Sequence, residues 1–247
     1  MRNALLFASL LAAAPVLAQE PDAPRWTFGV LAADRDAPYR DLDEDLLVVP
    51  LVRFEGEDFY LRGLRGAWRL SRSDRHELAL FGQVRTDGYD SKDSDFLTGM
   101  DDRRMSLDLG IASTWTSPRF GALELSLAGD ALDRSGGFEA AASWNALFRA
   151  GGWTFIPGVA VRWQDASLVD YYYGVRNDEA IAGRPAYEAD SAVVPDVSLL
   201  ATRPLSKRWT IFARASHAWL PSEISNSPIV DDDGSTGLMI GLGWSPD

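Results

Sequence analysis

The residues able to do chemistry are few. Histidine occurs twice, at His76 and His217, and cysteine not at all. Without a thiol there can be no thiolate nucleophile, thiolate zinc site, iron–sulfur cluster, disulfide framework or lipidated-cysteine anchor. A histidine-based hydrolase would need a serine and an orienting carboxylate gathered round one imidazole. His76 follows Ser73-Asp74-Arg75, a sequence that reads as a turn, and its plain reading is a turn residue. His217 stands two residues from Trp219 on the apolar side of an alternating run, as an interfacial polar residue would. Paired carboxylates that activate water are the other route to hydrolysis, and Asp101-Asp102 is the pair to weigh. Neighbours on extended backbone point to opposite faces, so these two address one water only if the loop bends. Asp231-Asp232-Asp233-Gly234 looks like the start of a calcium loop, but the twelfth position counted from Asp231 is Leu242 rather than a glutamate. Loose bridging of divalent cations to lipopolysaccharide stays open for these aspartates, beside the reading of a solvated acidic rim. No catalytic residue, cofactor or resident metal is expected.

The remaining charges belong to alternating stretches. Arg103, Arg104, Arg162 and Arg214, with Asp108, Glu124 and Asp130, fall at the rim or on the inner side of such stretches. Inward charges build either a pore lining or a salt-bridged plug, and the sequence does not separate the two. Across 247 residues, 36 acidic groups face 24 basic ones, a formal charge of −12. That balance argues against nucleic-acid binding, which needs a basic face. A mean hydropathy of −0.13 is too polar for a bundle of membrane helices, although the chain carries nine tryptophans and 21 glycines.

Residues 1–18 carry one positive charge, Arg2, then an apolar stretch from Ala4 to Leu17, with Val16 and Ala18 at the small-residue positions of a cleavage site. The stretch is interrupted by Pro15 and falls short of the roughly 20 residues a spanning helix requires. It is expected to be a signal peptide cut before Gln19, leaving residues 19–247 as a single domain.

Period two dominates the remainder of the chain. Met105, Leu107, Leu109 and Ile111 share a face opposite Ser106, Asp108, Gly110 and Ala112; Leu123, Leu125 and Leu127 oppose Glu124, Ser126 and Ala128. A soluble sandwich or lipocalin-like barrel would also alternate, with its apolar side inward. Tryptophan spacing decides between them. Trp153 and Trp163 lie ten residues apart on one face, as do Trp209 and Trp219. Ten residues of a strand tilted near 40° climb about 25 Å, the height of an outer-membrane apolar band between its aromatic girdles. Trp115 and Trp244 are expected in the same girdles. Candidate strands cover 26–33, 46–54, 58–70, 76–86, 103–117, 122–130, 138–149, 153–164, 192–201, 209–220 and 237–244. That odd number conflicts with the even count of bacterial single-chain barrels. Short turns near 117–121, 150–152 and 203–207 should be periplasmic, and long acidic loops at 87–102, 165–190 and 221–236 should face outward. Working back from the C-terminus, parity fails before residue 87, and 58–70, with Gly63 and Gly66, is the stretch to divide. The expectation is an all-β, transmembrane, antiparallel up-and-down β-barrel of 12 strands, with ten as the alternative. Tyr171, Tyr172 and Tyr173 are expected at an outer aromatic rim.

Several segments resemble the MltA-interacting protein (MipA/OmpV) family of Gram-negative outer membranes over essentially the whole mature chain. They are Val49-Pro50-Leu51-Val52 with Phe54-Glu55-Gly56, Phe59-Tyr60-Leu61-Arg62-Gly63-Leu64-Arg65-Gly66, Gly99-Met100-Asp101-Asp102-Arg103-Arg104, Gly129-Asp130-Ala131-Leu132-Asp133, Gly151-Gly152-Trp153, Asp170-Tyr171-Tyr172-Tyr173-Gly174-Val175 and Ser227-Pro228-Ile229-Val230-Asp231. The resemblance implies a non-enzymatic outer-membrane protein similar to a scaffold that holds a lytic transglycosylase and a murein synthase together. Other members are associated with adhesion, osmotic response or antibiotic susceptibility. One departure is the terminus, where Trp244 is followed by Ser245, Pro246 and Asp247 instead of ending on an aromatic residue. If a periplasmic partner binds, the turns are its contact set, with Arg72, Asp74, Arg119 and Lys207 the charged candidates. Single turns offer far less than the roughly 800 Å² per partner of a stable complex, so several must cooperate. Outer-membrane lipid and lipopolysaccharide are the other expected partners; a small-solute channel is the first rival function and an outer-membrane hydrolase the second.

Overall fold

A computed structural model describes residues 25–35, 37–42 and 46–246; the expected leader lies outside these residues. The chain forms a closed antiparallel β-barrel. Its strands are β1 (Arg25–Arg35), β2 (Leu47–Glu55), β3 (Phe59–Arg62), β4 (Arg65–Arg72), β5 (His76–Arg85), β6 (Ser106–Ser117), β7 (Gly121–Asp130), β8 (Phe138–Asn145), β9 (Phe148–Ala150), β10 (Trp153–Gln164), β11 (Ala192–Pro204), β12 (Trp209–Trp219) and β13 (Gly234–Trp244). Each pairs with its sequence neighbours, except that β8 and β9 are two pieces of one stave, both paired with β10. β13 pairs with β1 to close the wall. The wall therefore has twelve staves, and the even count is met where expected: 58–70 divides into β3 and β4 about a tight turn whose Gly63 has φ 60°.

Alternation sets the two faces. On β7, Leu123, Leu125 and Leu127 are exposed on the outside, while the partners between them are at least partly covered on the inside. Trp26, Trp68, Trp115, Trp163, Trp209 and Trp219 are likewise exposed on the outer face. No helix of the described residues is long and apolar enough to cross a membrane.

Several of the expected boundaries move. The strand expected from 103 begins at Ser106, because Arg103 instead forms a bridge with Tyr89 across the β5–β6 loop. The last strand begins earlier, at Gly234, because β12 pairs with it as far as Trp219. The segment 165–190 holds a helix, α1 (Ala166–Tyr173). Asp165 caps it by accepting from Leu168 N at 3.0 Å, and the same oxygen accepts from Phe138 N at 3.0 Å, tying the helix to the top of β8. A Cβ on Gly137 would lie 2.5 Å from that oxygen and 2.6 Å from Leu168 N, so only glycine lets α1 sit this close.

Candidate functional site

The outer loops do not stand open. Tyr39 of the β1–β2 loop, Tyr89, Leu97 and Met100 of the β5–β6 loop, Leu168, Val169, Tyr172 and Tyr173 of α1, and Ile224, Ile229 and Val230 of the β12–β13 loop form one buried apolar cluster. Loops rarely own a core, since a packed interior needs apolar groups and paired backbone. Here four loops share one, and it forms a lid over the outer mouth. This corrects the expectation of an aromatic rim. Tyr172 and Tyr173 are 2% and 9% exposed, because a helix places residues four apart on one face, and the face carrying Leu168, Val169, Tyr172 and Tyr173 is the buried one. Tyr171 packs edge-on against Tyr172 and accepts from Arg104 N at 3.0 Å.

Two arginine-centred staples hold the lid. Arg103 meets Glu179 with Nη2 to Oε2 at 2.7 Å and Nη1 to Oε1 at 2.9 Å, the side chains only 1% and 3% exposed. Glu179 also accepts from the backbone N–H groups of Asp101 at 2.9 Å and Arg176 at 3.0 Å. Burial alone would raise its pKa. The bonds from Arg103, Arg176 and Asp101 outweigh that and hold the carboxyl at about 2. Arg184, 1% exposed, donates to the carbonyls of Phe96, Thr98 and Glu179, joining the β10–β11 segment to the β5–β6 loop. Burial, and the Asp87 carboxylate beside it, push the Tyr172 phenol well above its ordinary value, so this side chain meets the lumen uncharged.

Beneath the lid the lumen is laddered with charge. The upper rung joins Arg85 to Asp108 at 2.6 Å and to Asp87 and Glu139 at 3.2 Å, with Gln164 donating to Glu139 at 3.0 Å. In the middle, Arg65 meets Glu124 at 2.8 Å and lies 3.9 Å over the Phe81 ring. The lower rung gathers Arg69, Arg62 and Arg53 on Glu55, and Arg69 on Glu77 at 2.6 Å. On the opposite wall, Arg162 of β10 approaches Asp196 of the adjacent β11 at 3.8 Å. A cavity of about 140 Å³ lies among the upper and middle groups, lined by Arg65, Arg85, Glu124, Glu139, Arg162 and Asp196. Both sequence alternatives, pore lining and plug, describe part of it: the charges point inward, and most are cross-paired.

The candidates expected from the sequence are distributed rather than convergent. Asp101 is exposed and paired with Arg176 at 2.7 Å, while Asp102 accepts from Ser91 N at 3.0 Å and Ser91 Oγ at 2.9 Å. The two carboxylates thus serve different loop contacts. Hydrogen bonds from the Ser91 backbone, more than burial, keep Asp102 below the usual carboxylate range. Asp231 pairs with Arg40 at 2.6 Å, with Asp232 and Asp233 exposed beside it. Among the described residues no three carboxylate or imidazole groups converge as a metal site would. His76 Nε2 lies 2.8 Å from Ser113 Oγ, yet both stand on the outer face next to Trp115. His217 mirrors this at the other rim, 3.0 Å from Thr236 Oγ1 and edge-on to Trp219. Both imidazoles thus occupy interfacial belts. Arg72, Asp74, Arg119 and Lys207 are exposed on the short turns at the end opposite the lid. Sequence reasoning missed Glu179, Arg184, Arg65, Arg69 and Glu55. Lone charges in loops and glycine-rich hairpins carry no periodic signal, and only the fold reveals that they are buried.

A twelve-stave barrel with an apolar, tryptophan-flanked outer surface, a charged lumen and a capped outer mouth defines an outer-membrane protein. Residues 28–246 match the family model described as MltA-interacting protein MipA, and the chain belongs to that family. It is 31% identical over 220 residues to the putative outer membrane protein YiaT of Escherichia coli (strain K12), covering 88% of this chain and 89% of that one. It is also 31% identical over 218 residues to the MltA-interacting protein of the same organism, covering 87% of each chain. Among solved structures, an outer membrane channel from Pseudomonas putida F1 aligns with TM-score 0.48 at 9% identity, covering 95% of this chain and 100% of that one.

Proposed function

We propose that this protein is a non-enzymatic scaffold of the outer membrane that organises peptidoglycan-remodelling enzymes from its periplasmic side. The observation that carries the reading is the asymmetry of its two ends. The outer mouth is sealed by a lid with its own apolar core, whereas the periplasmic end presents short turns with exposed charges at Arg72, Asp74, Arg119 and Lys207. The family description names an interaction with MltA, and a relative bears the same name. A lytic transglycosylase, with a murein synthase alongside, is therefore the partner class proposed. Lipid and lipopolysaccharide are proposed to surround the barrel, with Trp115, Trp153, Trp163, Trp209, Trp219 and Trp244 in the girdles.

The test is capture of purified lytic transglycosylases by the folded barrel in nanodiscs. Binding should weaken as charges on Arg72, Asp74, Arg119 and Lys207 are reversed together. Equal capture by the fourfold variant, or capture only by unfolded chain, refutes the reading. The channel reading rests on the charged lumen; steady single-channel steps from the wild-type barrel in planar bilayers would favour it over a sealed scaffold.

A further inference from the structure

The barrel wall has a step. β2 pairs with β1 along its whole length, Leu47 to Glu55, but with β3 only through Arg53, Phe54 and Glu55. Among the described residues no strand lies against the other edge of 47–52. The Trp26 and Phe54 rings meet tilted at 43° with centroids 4.6 Å apart, and Phe59 lies next to Phe54, at the periplasmic edge of the band. By register Arg62, the end of β3, lies opposite Arg53, one residue above Phe54, whereas β2 continues five residues further to Val48, about 12 Å higher at about 2.5 Å of climb per residue of tilted strand. On the far side the β4 hairpin reaches only as high as Leu64, whose carbonyl accepts from Val84 N at 3.0 Å.

Backbone geometry shows that the step is built in. Gly56 N donates to Phe59 O at 2.9 Å, so by period two the even residues of β2 direct their peptide groups toward the missing stave. One of them is Pro50, which has no N–H and is excluded from doubly paired positions in a sheet. Val48 and Val52 flank it, and no described residue bonds to their outward-edge peptide groups. An open edge against hydrocarbon is not tolerated, although one lining a water-filled cavity is.

Two features behind the step indicate what enters. The lumen wall on this side is apolar: Leu31, Leu51 and Met239 form a buried cluster. At the tip of the short hairpin stands Arg65, 5% exposed, whose Nη1 meets Glu124 while Nε and Nη2 find no partner among the described residues. Arg65 lines the lumen cavity. We propose that the step is a lateral portal that admits a single-chain amphiphile with an anionic head group from the outer leaflet, the head bound by Arg65 and the chain lying against Leu51 in the opening. The cavity of about 140 Å³ has room for a head group but not for a two-chain lipid. The lid closes the axial route from outside, which leaves the step in the wall as the route from the outer leaflet.

The chain has no cysteine, so single labels are specific. Bimane is attached at Ser126→Cys, which lines the cavity, or at Leu125→Cys on the outer face, in nanodiscs. Stearate carrying a doxyl spin label next to its carboxyl is then added. The portal predicts quenching at both positions, with quenching at Ser126→Cys lost for the neutral doxyl alcohol. Arg65→Gln should weaken it about tenfold, equivalent to about 1.4 kcal/mol, while leaving the Leu125→Cys signal unchanged. Leu51→Glu, which sets a carboxylate in the opening, should abolish it. Quenching at Leu125→Cys without quenching at Ser126→Cys overturns the proposal, as does equal lumen quenching by the alcohol. The alcohol comparison needs no further substitution and stands even if a variant fails to fold.

Discussion

Removing one carboxylate should unseal the outer mouth. Glu179→Ala takes the partner from Arg103, a guanidinium 1% exposed, and leaves two backbone N–H groups, of Asp101 and Arg176, without their acceptor. Breaking a buried ion pair by removing one member costs about 3–5 kcal/mol. Proton linkage gives a consistent figure: the carboxyl is held at about 2 against an ordinary 4.5, which corresponds to about 3 kcal/mol favouring the closed lid. Because the folded value is depressed, that contribution is complete above the ordinary value and fades as pH falls from about 4.5 toward 2. A loss of about 3 kcal/mol raises the opening equilibrium more than about a hundredfold. Hydrogen exchange of the barrel in nanodiscs should therefore show amides of the β5–β6 loop, Met100 and Asp101 among them, exchanging about a hundredfold faster in the variant, with β6 and β7 unchanged. Wild-type protein should move the same way between pH 4.5 and 2. Loop exchange unaltered by the substitution would mean that the apolar cluster alone holds the lid, and the staple argument would fail.

Other consequences are independent of the lid. Leu125→Arg, mid-strand on the outer face of β7, should lower folding stability into vesicles by about 2–4 kcal/mol, against about 0–1 kcal/mol for Thr236→Arg at the rim; urea titration measures both, and equal costs would refute the bilayer placement of that face. Gly110→Val should destabilise the barrel by about 1–3 kcal/mol, since its Cβ would collide with Leu127 O and lie 2.6 Å from the Phe81 ring on which Arg65 rests; denaturant midpoints report it. Asp165→Ala, which removes the cap of α1 and its tie to Phe138 N, should cost about 1 kcal/mol and speed exchange in 166–173 without touching the strands.

Much of the wall was legible in sequence because period two is a direct image of inside and outside. Two tryptophan pairs ten residues apart supplied the height, and parity located the missing turn at Gly63. The lid was illegible for the opposite reason. Its core is assembled from single residues such as Tyr39, Leu97, Val169 and Ile229, drawn from four loops, and no period within one segment marks a core shared among several. Run together, Tyr171, Tyr172 and Tyr173 looked like a membrane rim. A capping aspartate six residues before Tyr171 was the signal that they sit on a helix, which turns two of them inward. The lumen charges fell on the inner face as alternation required, but sequence could not say which would be cross-paired. That depends on the stagger between strands far apart in the chain, as when Arg65 of β4 meets Glu124 of β7.

The pairing of β1 with β13 has a kinetic side. Phe28 lies opposite Trp244, so the contact that turns a curved sheet into a cylinder joins the two ends of the described chain. It carries the largest loop-closure entropy of any strand pair and must wait for the final strand. Ser245 then ties the end of β13 to both neighbours, its N–H donating to Arg208 O at 2.8 Å beside β12 and its hydroxyl lying 2.9 Å from Thr27 Oγ1 of β1 across the seam. Before the clasp shuts, the edges of β1 and of the last assembled strand are both exposed, so the stage most prone to aggregate is a nearly finished sheet, and docking of β13 onto β1 ends it.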